Sequence, residues 1–370
     1  MQLSPVLAEL EQYPFTRLDE WRAGRTVIDF GVGDPREVTP LFIREALAAA
    51  IEERSSYPRA AGLPELRRAI AGWIDRRFGV CVDADRKLVP TLGSKEAIFS
   101  FAHVALGERR AVAVPEPGYP VYERGAVFAG GTVVPVPLRE ETGWLPDLDA
   151  FDAWDEIAIF WCCYPNNPTG ATAPLSFYED LAGLAREHGF LVCSDEAYSE
   201  LWFDEPPPSA LQVADRDNVV VFNTLSKRSS MTGYRSGFVC APPSVADALR
   251  TFRPSTGTAP QEFVQRASVA AWADEEHVGA VRDVYRRKRE ILLPVLERKG
   301  LRFAGGNASF FLWFAVDGPS EAFARRLLEH GILVAPGSFF GASGEGYVRL
   351  ALVPTQEDCE RAVEILERAL

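Results

Sequence analysis

The sequence has few of the residues that hold metals or build disulfide frameworks. Its 370 residues include six cysteines and four histidines, and no two cysteines have the C-x-x-C spacing of a zinc or redox site. The histidines are far apart in the chain and match no metal motif. Four of the cysteines lie in apolar, strand-like runs, where a reduced thiol is a small hydrophobic side chain. We therefore expect neither a metal site nor disulfides.

The sequence also lacks an apolar run long enough to cross a bilayer, and its start has neither a basic segment nor an apolar one. Its 39 Lys and Arg are scattered among 52 Asp and Glu, giving a formal net charge of -13. No basic stripe is available to a polyanion. We expect a soluble, cytoplasmic protein that binds neither nucleic acid nor a membrane.

Apolar residues are plentiful, at 47% of the chain, and 370 residues are too many for one compact lobe. From about residue 90, helical patterns alternate with short apolar runs, which read AVAVP, EIAIFWCCYP, GFLVCSD, NVVVFNT and GFVCAP. Such alternation is typical of an α/β fold in which helices cover both faces of a mostly parallel sheet. The helical pattern over residues 175–188 is expected to end at Gly189.

The pattern changes near the carboxyl end. The segment EEHVGAVRDVYRRKREILLPVLERKG predicts one long helix, or two joined at Pro294, followed by strand-like FFLWFAV, a short helix and YVRLALV. This pattern indicates a small α+β domain, on which the first thirty or so residues are expected to pack. We predict a large domain at 36–282 and a small domain formed by 1–35 and 283–370.

Polar residues follow three of the apolar runs. Because ligands bind at the carboxyl edge of an open parallel sheet, these residues are candidates for a site. They are Asn167, Asp195, Tyr198, Thr224, Ser226 and Lys227. A lysine directly after an apolar strand is structural in many proteins, with its stem packed and its amine solvated or ion-paired. An aspartate at a strand end can cap a following helix.

Taken together, these residues favour a chemical role. A desolvated lysine can form a Schiff base with a carbonyl cofactor and can carry a proton when it is released. Pyridoxal phosphate acts as an electron sink when a buried carboxylate, here Asp195, keeps its ring nitrogen protonated. Asn167 and Tyr198 are candidate donors to the ring oxygen. The sequence therefore predicts a pyridoxal-phosphate site.

Several donors are available for the phosphate of this cofactor. Gly93, Ser94 and Lys95 precede an apolar helical run, whose free backbone N–H groups can face an anion. Thr224, Ser226 and Arg235 can add hydroxyl and guanidinium contacts. Tyr119, in the segment PGYP, either stacks on the pyridine ring or fills a turn.

From about Asp29 to Pro354 the chain resembles the class I and II aminotransferases of fold type I. The resemblance is carried, in the family's order, by GVGDP, YPRAAGLPELR, GSKEA, PGYPVY, NNPTG, SDEAY, TLSK, GYRSG and VRLAL. It implies that Lys227 is the Schiff-base lysine and Asp195 the partner of the ring nitrogen. The residues implied for the phosphate are Ser94, Lys95, Thr224, Ser226 and Arg235, and Tyr119 is implied for the ring face.

The resemblance also implies a homodimer with shared active sites, in which Tyr57 reaches the phosphate of the neighbouring subunit. Arg349 is implied to clamp the substrate α-carboxylate, with Gly33 and Asn167 beside it. One departure is Tyr164, where many relatives have a small polar residue, and it is expected to lie close enough to the cofactor to affect substrate fit.

The implied reaction is ping-pong transfer of an amino group between amino and keto acids, with glutamate as donor. The segments GVGDP, TLSKRSSMTGYRSGF, NASFFLW and GILVAPGSFFG are most similar to bacterial N-succinyldiaminopimelate aminotransferases, so N-succinyl-2-amino-6-oxopimelate is the expected acceptor. Aspartate, alanine or LL-diaminopimelate transamination is the alternative, and a carbon–sulfur lyase is a further one. Arg36 and Arg59 are candidates for a second substrate carboxylate.

Two other classes of protein fit less well. Gly31 and Gly33 imitate a dinucleotide-binding loop, but Arg36 occupies the position of its third glycine and no βαβ unit precedes it. Transcription regulators with an aminotransferase-like domain carry a basic DNA-binding domain in front, and only about thirty residues precede the first motif here.

Overall fold

A computed structural model of the chain describes residues 6–7, 12–54 and 56–370. Its helices are α1 (Pro14–Arg22), α2 (Leu41–Ala49), α3 (Pro64–Phe78), α4 (Gly93–Ala105), α5 (Val121–Phe128), α6 (Leu175–His188), α7 (Leu225–Arg228), α8 (Pro243–Ser255), α9 (Glu262–Ala273), α10 (Glu276–Arg298), α11 (Ser320–Glu329) and α12 (Gln356–Ala369). Its strands are β1 (Ile28–Asp29), β2 (Leu88–Thr91), β3 (Ala111–Glu116), β4 (Thr132–Pro137), β5 (Ile157–Cys163), β6 (Leu191–Asp195), β7 (Val219–Thr224), β8 (Gly237–Cys240), β9 (Arg302–Phe303), β10 (Phe311–Ala315), β11 (Ile332–Leu333), β12 (Ala335–Pro336) and β13 (Tyr347–Ala351).

The large sheet has seven strands in the order β2-β8-β7-β6-β5-β3-β4. Only β8 runs against its neighbours, so the prediction of a mostly parallel sheet is confirmed. All five apolar runs named above contain strands. The sequence analysis did not name the two edge strands, β2 and β4, as strands.

Residues on β5 show why its sequence is a continuous apolar run. Phe160 and Cys162 belong to one apolar cluster, whereas Ile159, Trp161 and Cys163 belong to a second cluster on the other side of the sheet. Both faces of the strand are therefore buried, and no position in it is available for a polar side chain. The first polar side chains come after the strand, at the carboxyl edge.

A second, antiparallel sheet has the order β12-β13-β10-β9, and β1 pairs in parallel with β11. The amino-terminal segment thus packs with the carboxyl-terminal part of the chain, as predicted. Of the two alternatives for the long helical segment, the structure has one helix, α10, which continues through Pro294. The helix α6 ends at Gly189, whose φ of 75° is the left-handed value that favours glycine. The domain limits at 36–282 stay a prediction.

Within the described ranges, no helix is long and apolar enough to cross a membrane. The same ranges contain no group of three or more His, Cys, Asp and Glu side chains arranged to hold a metal ion.

A buried ion pair fixes the loop that follows β1. The amine of Lys288, on α10, is fully buried; it contacts the Glu37 carboxylate and lies 3.2 Å from the carbonyl oxygen of Leu352. Because Glu37 closes the loop of residues 31–37, this pair holds the loop against α10 and the strand end after β13. The same loop borders the candidate active site described below.

We predict that Glu37→Gln lowers the free energy of unfolding by about 2 to 4 kcal/mol, because it leaves the Lys288 charge buried without a counter-charge. Urea denaturation followed by circular dichroism measures the change. Adding Lys288→Met should restore much of the loss. Glu329→Gln, at the exposed end of α11, is the matched control. If Glu37→Gln and Glu329→Gln have equal effects, the pair does not stabilise the fold.

Candidate active site

A cavity of about 590 Å³ lies at the carboxyl edge of the large sheet, where β5, β6 and β7 end. It collects most of the residues that the sequence analysis singled out. Those that line it are Gly33, Ser94, Lys95, Tyr119, Asn167, Asp195, Tyr198, Thr224, Ser226, Lys227, Arg235 and Arg349. Gly93 lies directly behind them, against Arg235. Tyr57 lies outside the cavity and is fully exposed in the single chain.

Lys227 lies on α7, a single helical turn directly after β7. The turn begins because the Thr224 side chain accepts a hydrogen bond from the backbone N–H of Ser226, at 3.1 Å. The Lys227 amine donates to the carbonyl oxygen of Gly33 at 2.7 Å. Burial lowers its pKa to about 8, against the attraction of Asp34. A substantial fraction of the amine is therefore neutral near pH 8, as a nucleophile requires.

Arg228, the residue after Lys227, holds the α7 turn in place. Arg228 is 1% exposed, and its guanidinium lies 5.5 Å from the ring of Trp73 and 4.7 Å from the ring of Trp272. It also donates to both oxygens of Glu275, at 3.1 Å each. These contacts fix the backbone of α7, so that the Lys227 side chain extends into the cavity from a rigid base.

Asp195 is the last residue of β6 and is 4% exposed. One oxygen accepts the hydroxyl proton of Tyr122 at 2.8 Å, and the other accepts the backbone N–H of Ala197 at 3.2 Å. Burial raises the pKa of the carboxyl to about 6, and these two hydrogen bonds oppose the rise. A carboxylate in this position can hold a protonated ring nitrogen by charge and hydrogen bonding.

The amino end of α4 forms a cradle for an anion. Gly93 has a φ of 74°, and a Cβ atom there would lie 2.7 Å from an Arg235 nitrogen, so only glycine allows the close approach. Arg235 is itself held by the carbonyl oxygens of Leu92, at 3.0 Å, and Thr232, at 2.9 Å. Ser94 and Lys95 complete the cradle with a hydroxyl, an amine and the first free N–H groups of the helix. The cradle fits a phosphate group.

Arg349 reaches the cavity from the second sheet, where it lies on β13 opposite Trp313. Its guanidinium is 1% exposed and donates to the Asn167 side-chain oxygen at 2.8 Å and to the Gly31 carbonyl at 2.6 Å. Its centre lies 4.3 Å from the ring of Phe311. Burial lowers its pKa to about 10, and within the described residues its Nε has no hydrogen-bond partner. A planar donor group with an N–H that is still unpaired is suited to binding a carboxylate.

The sequence analysis assigned no role to several other lining residues. They are Tyr13, Phe15, Val32, Asp34, Ala197, Thr232, Gly233 and Phe311. Tyr13 and Phe15 come from a segment with little periodicity, and Phe311 belongs to an apolar strand, so no local pattern marks them. Asp34 belongs to the quoted motif GVGDP, and this motif is the sequence feature that could have identified it. Tyr122, behind the lining, has the aromatic character of a core residue.

Three residues singled out in the sequence lie away from the cavity. Tyr164 is buried and donates its hydroxyl to the Trp144 carbonyl oxygen at 2.7 Å. It does not line the cavity, and its effect on substrate fit stays a prediction. Arg36 lines an adjoining cavity of about 240 Å³ and lies 3.9 Å from Asp29. Arg59 is exposed.

A lysine, a buried carboxylate and an anion cradle at the carboxyl edge of such a sheet define a pyridoxal-phosphate enzyme of fold type I. The family model for aminotransferase class I and II matches residues 25–366, and the chain belongs to that family. It is a pyridoxal-phosphate-dependent aminotransferase. The resemblance read from the sequence is thereby confirmed at the level of the family, the fold and the cofactor.

Relatives of known name or structure match the whole length. The LL-diaminopimelate aminotransferase of Aquifex aeolicus is 40% identical over 99% of this chain and 98% of the relative. A Neisseria meningitidis aminotransferase structure has a TM-score of 0.92 at 36% identity, over 99% of each chain. A single mutant of the Thermus thermophilus aspartate aminotransferase has a TM-score of 0.92 at 30% identity, over 100% of each chain. The Aquifex relative is named for LL-diaminopimelate, not for the N-succinyl derivative expected above.

Proposed function

We propose that this aminotransferase exchanges an amino group between LL-diaminopimelate and the glutamate/2-oxoglutarate pair. The relatives named for LL-diaminopimelate support this substrate, as does the charge pattern of the cavity. Sequence segments alone favoured the N-succinyl derivative as substrate. LL-diaminopimelate, which was named there as an alternative, is proposed in its place. The N-succinyl derivative becomes the comparison substrate in the test below.

The roles of the cavity residues follow from their chemistry. Lys227 is proposed to bind the cofactor covalently, and Asp195 to hold its ring nitrogen. Asn167 and Tyr198 are proposed as donors to the ring oxygen, and Tyr119 as the residue on the ring face. The phosphate is assigned to Ser94, Lys95, Thr224, Ser226 and Arg235.

Bound pyridoxal phosphate supplies an electron sink that makes the α-proton of the substrate acidic. Arg349 holds the substrate α-carboxylate, beside Gly33, so that the α-proton points towards Lys227. Once free, the Lys227 amine would take this proton from the α-carbon and carry it, and the bound cofactor would accept the electron pair left behind. In the overall exchange the first substrate would leave as a keto acid, and its amino group would pass to the second substrate.

Asp34 is the residue that favours LL-diaminopimelate over its N-succinyl derivative. Lys95 and Arg235 are proposed for the phosphate and Arg349 for the α-carboxylate, and Asp34 lies at the cavity wall. Within the described residues its side chain forms no hydrogen bond or close ion pair, although it attracts the Lys227 amine over a longer distance. The second end of LL-diaminopimelate carries an ammonium group that Asp34 can pair with, and a carboxylate for Arg36 in the adjoining cavity. Succinylation turns that ammonium into an uncharged amide.

We also propose a homodimer with shared sites. Tyr57 belongs to a stretch with large exposed apolar side chains: Val38 is 76% exposed, Leu41 58% and Ile51 65%. Apolar surface of this kind is typical of an interface. A second copy that covers it would bring Tyr57 towards the phosphate of the neighbouring site.

Lys227→Ala should fold and retain part of its cofactor affinity, because the other contacts stay. It should lose the absorption of the lysine-bound cofactor and nearly all turnover, since no amine remains to carry the α-proton. Absorption spectra and a coupled glutamate assay measure both. Lys299→Ala, at the end of α10, is the matched control. Wild-type turnover in Lys227→Ala would exclude the proposed role.

For the shared site, we predict that mixing inactive Tyr57→Ala and Lys227→Ala subunits restores activity. A hybrid dimer has one site with both residues intact, so a random mixture should reach about a quarter of the wild-type rate. Subunit exchange is verified by native mass spectrometry of tagged chains. Exchange without any recovery would mean that each site is built from one chain.

For the substrate, kcat/KM with 2-oxoglutarate should rank LL-diaminopimelate above its N-succinyl derivative, aspartate and alanine. Asp34→Asn should lower the preference for LL-diaminopimelate over 2-aminopimelate, which lacks only the second ammonium, by about 3- to 10-fold, as expected for an exposed ion pair. Asp19→Asn is the control. A higher kcat/KM for the succinylated compound would overturn the substrate and leave the aminotransferase intact.

A further inference from the structure

Tyr122 lies behind the cavity, on α5, and is 1% exposed. Its ring stacks on Trp161 of β5, with centroids 4.9 Å apart and an interplanar angle of 18°. The ring of Tyr119, which borders the cavity, meets it edge-on at 5.8 Å. The two aromatic contacts leave the Tyr122 ring little freedom, so the direction of its hydroxyl is set by the fold.

That hydroxyl lies 2.8 Å from Asp195. Burial and the neighbouring Asp195 carboxyl raise the pKa of Tyr122 well above its ordinary value. The hydroxyl therefore stays protonated and acts as a donor across the working pH range. Within the described residues, the other donor to this carboxyl is the backbone N–H of Ala197, at 3.2 Å.

We propose that Tyr122 is a positioning residue, which holds the Asp195 carboxylate ionised and correctly oriented for the ring nitrogen of the cofactor. The proposal rests on the role of Asp195 given above and deepens it. Tyr122 keeps its own proton and touches neither cofactor nor substrate. A hydrogen bond to a charged group is worth more than one between neutral groups, and more in a dry interior than in water.

Other titratable groups face Asp195 from the surrounding elements. Lys227 on α7 favours the carboxylate, whereas burial opposes it. The hydroxyls of Tyr119 and Tyr198, and the Cys163 thiol on β5, are all affected by Asp195 and all keep their protons because burial raises their pKa values. While the Lys227 amine is free, its attraction for Asp195 weakens as the amine loses its charge near pH 8. The Tyr122 hydrogen bond does not depend on pH in this way.

The test compares Tyr122→Phe with Tyr285→Phe in the full-length holoenzyme. Both remove one buried hydroxyl, but within the described residues that of Tyr285 has no hydrogen-bond partner. With pyridoxal phosphate labelled at its ring nitrogen, ¹⁵N NMR should show a protonated nitrogen in the wild type. In Tyr122→Phe the signal should move towards the unprotonated value, because the proton moves to Asp195.

Two further readouts should change together. In Tyr122→Phe we expect the apoenzyme to bind pyridoxal phosphate about 10- to 100-fold more weakly, and kcat to fall by a similar factor with little change in the KM for the amino acid. Tyr285→Phe should leave all three quantities unchanged. If Tyr122→Phe does not fold, Tyr122→Met, which fills similar volume without a hydroxyl, replaces it.

A double-mutant cycle with Asp195→Asn separates the possible outcomes. If Tyr122 acts through the Asp195 charge, adding Tyr122→Phe to Asp195→Asn should cost little more. Fully additive losses, or an unchanged ¹⁵N signal in Tyr122→Phe, would overturn the inference about Tyr122. An unchanged ¹⁵N signal in Asp195→Asn would instead overturn the proposed role of Asp195, on which the inference rests.

Discussion

The active site depends on keeping three ionisable side chains out of water. Burial favours the neutral form of each side chain. It shifts the pKa to about 8 for Lys227, about 6 for Asp195 and about 10 for Arg349. An isolated buried charge is strongly unfavourable, so each must be supported by polar partners. Lys227 and Arg349 find theirs in the same loop, at the carbonyl oxygens of Gly33 and Gly31.

This requirement explains why the cavity lies between two sheets. The large sheet supplies Asp195 and Lys227 from strand ends, because its strand interiors are apolar on both faces. Arg349 comes instead from the antiparallel sheet, and its hydrogen bond to Asn167 joins the two sheets across the cavity.

The sequence predicts many of the polar residues that meet at the cavity, for a physical reason. A lysine or aspartate directly after a buried strand contrasts with the apolar run before it, and parallel strands bring such ends together. Phe311 lacked this contrast, because an aromatic side chain in an apolar segment is typical of a core. Tyr122 belongs to the quoted motif PGYPVY, but it does not follow a strand directly, so the same contrast is absent there. Phe15 and its neighbour Tyr13 reach the cavity because α1 packs on Phe339 and Phe340, which are distant in sequence. The edge strands were missed for two other reasons: β2 has only four residues, and exposed or half-exposed residues blur the pattern of β4.

The residues proposed for the cofactor and for the far end of a substrate lie on different parts of the fold. Most of those proposed for the cofactor lie on α4 and α7 or follow strands of the large sheet. Asp34 and Arg36 belong to the loop after β1, which is tied to the fold through the neighbouring Glu37 and its contact with Lys288. The two parts are not independent, because Asp34 attracts the Lys227 amine and opposes the effect of burial on its pKa. A substitution at Asp34 would therefore change the protonation of Lys227 as well as the charge on the cavity wall.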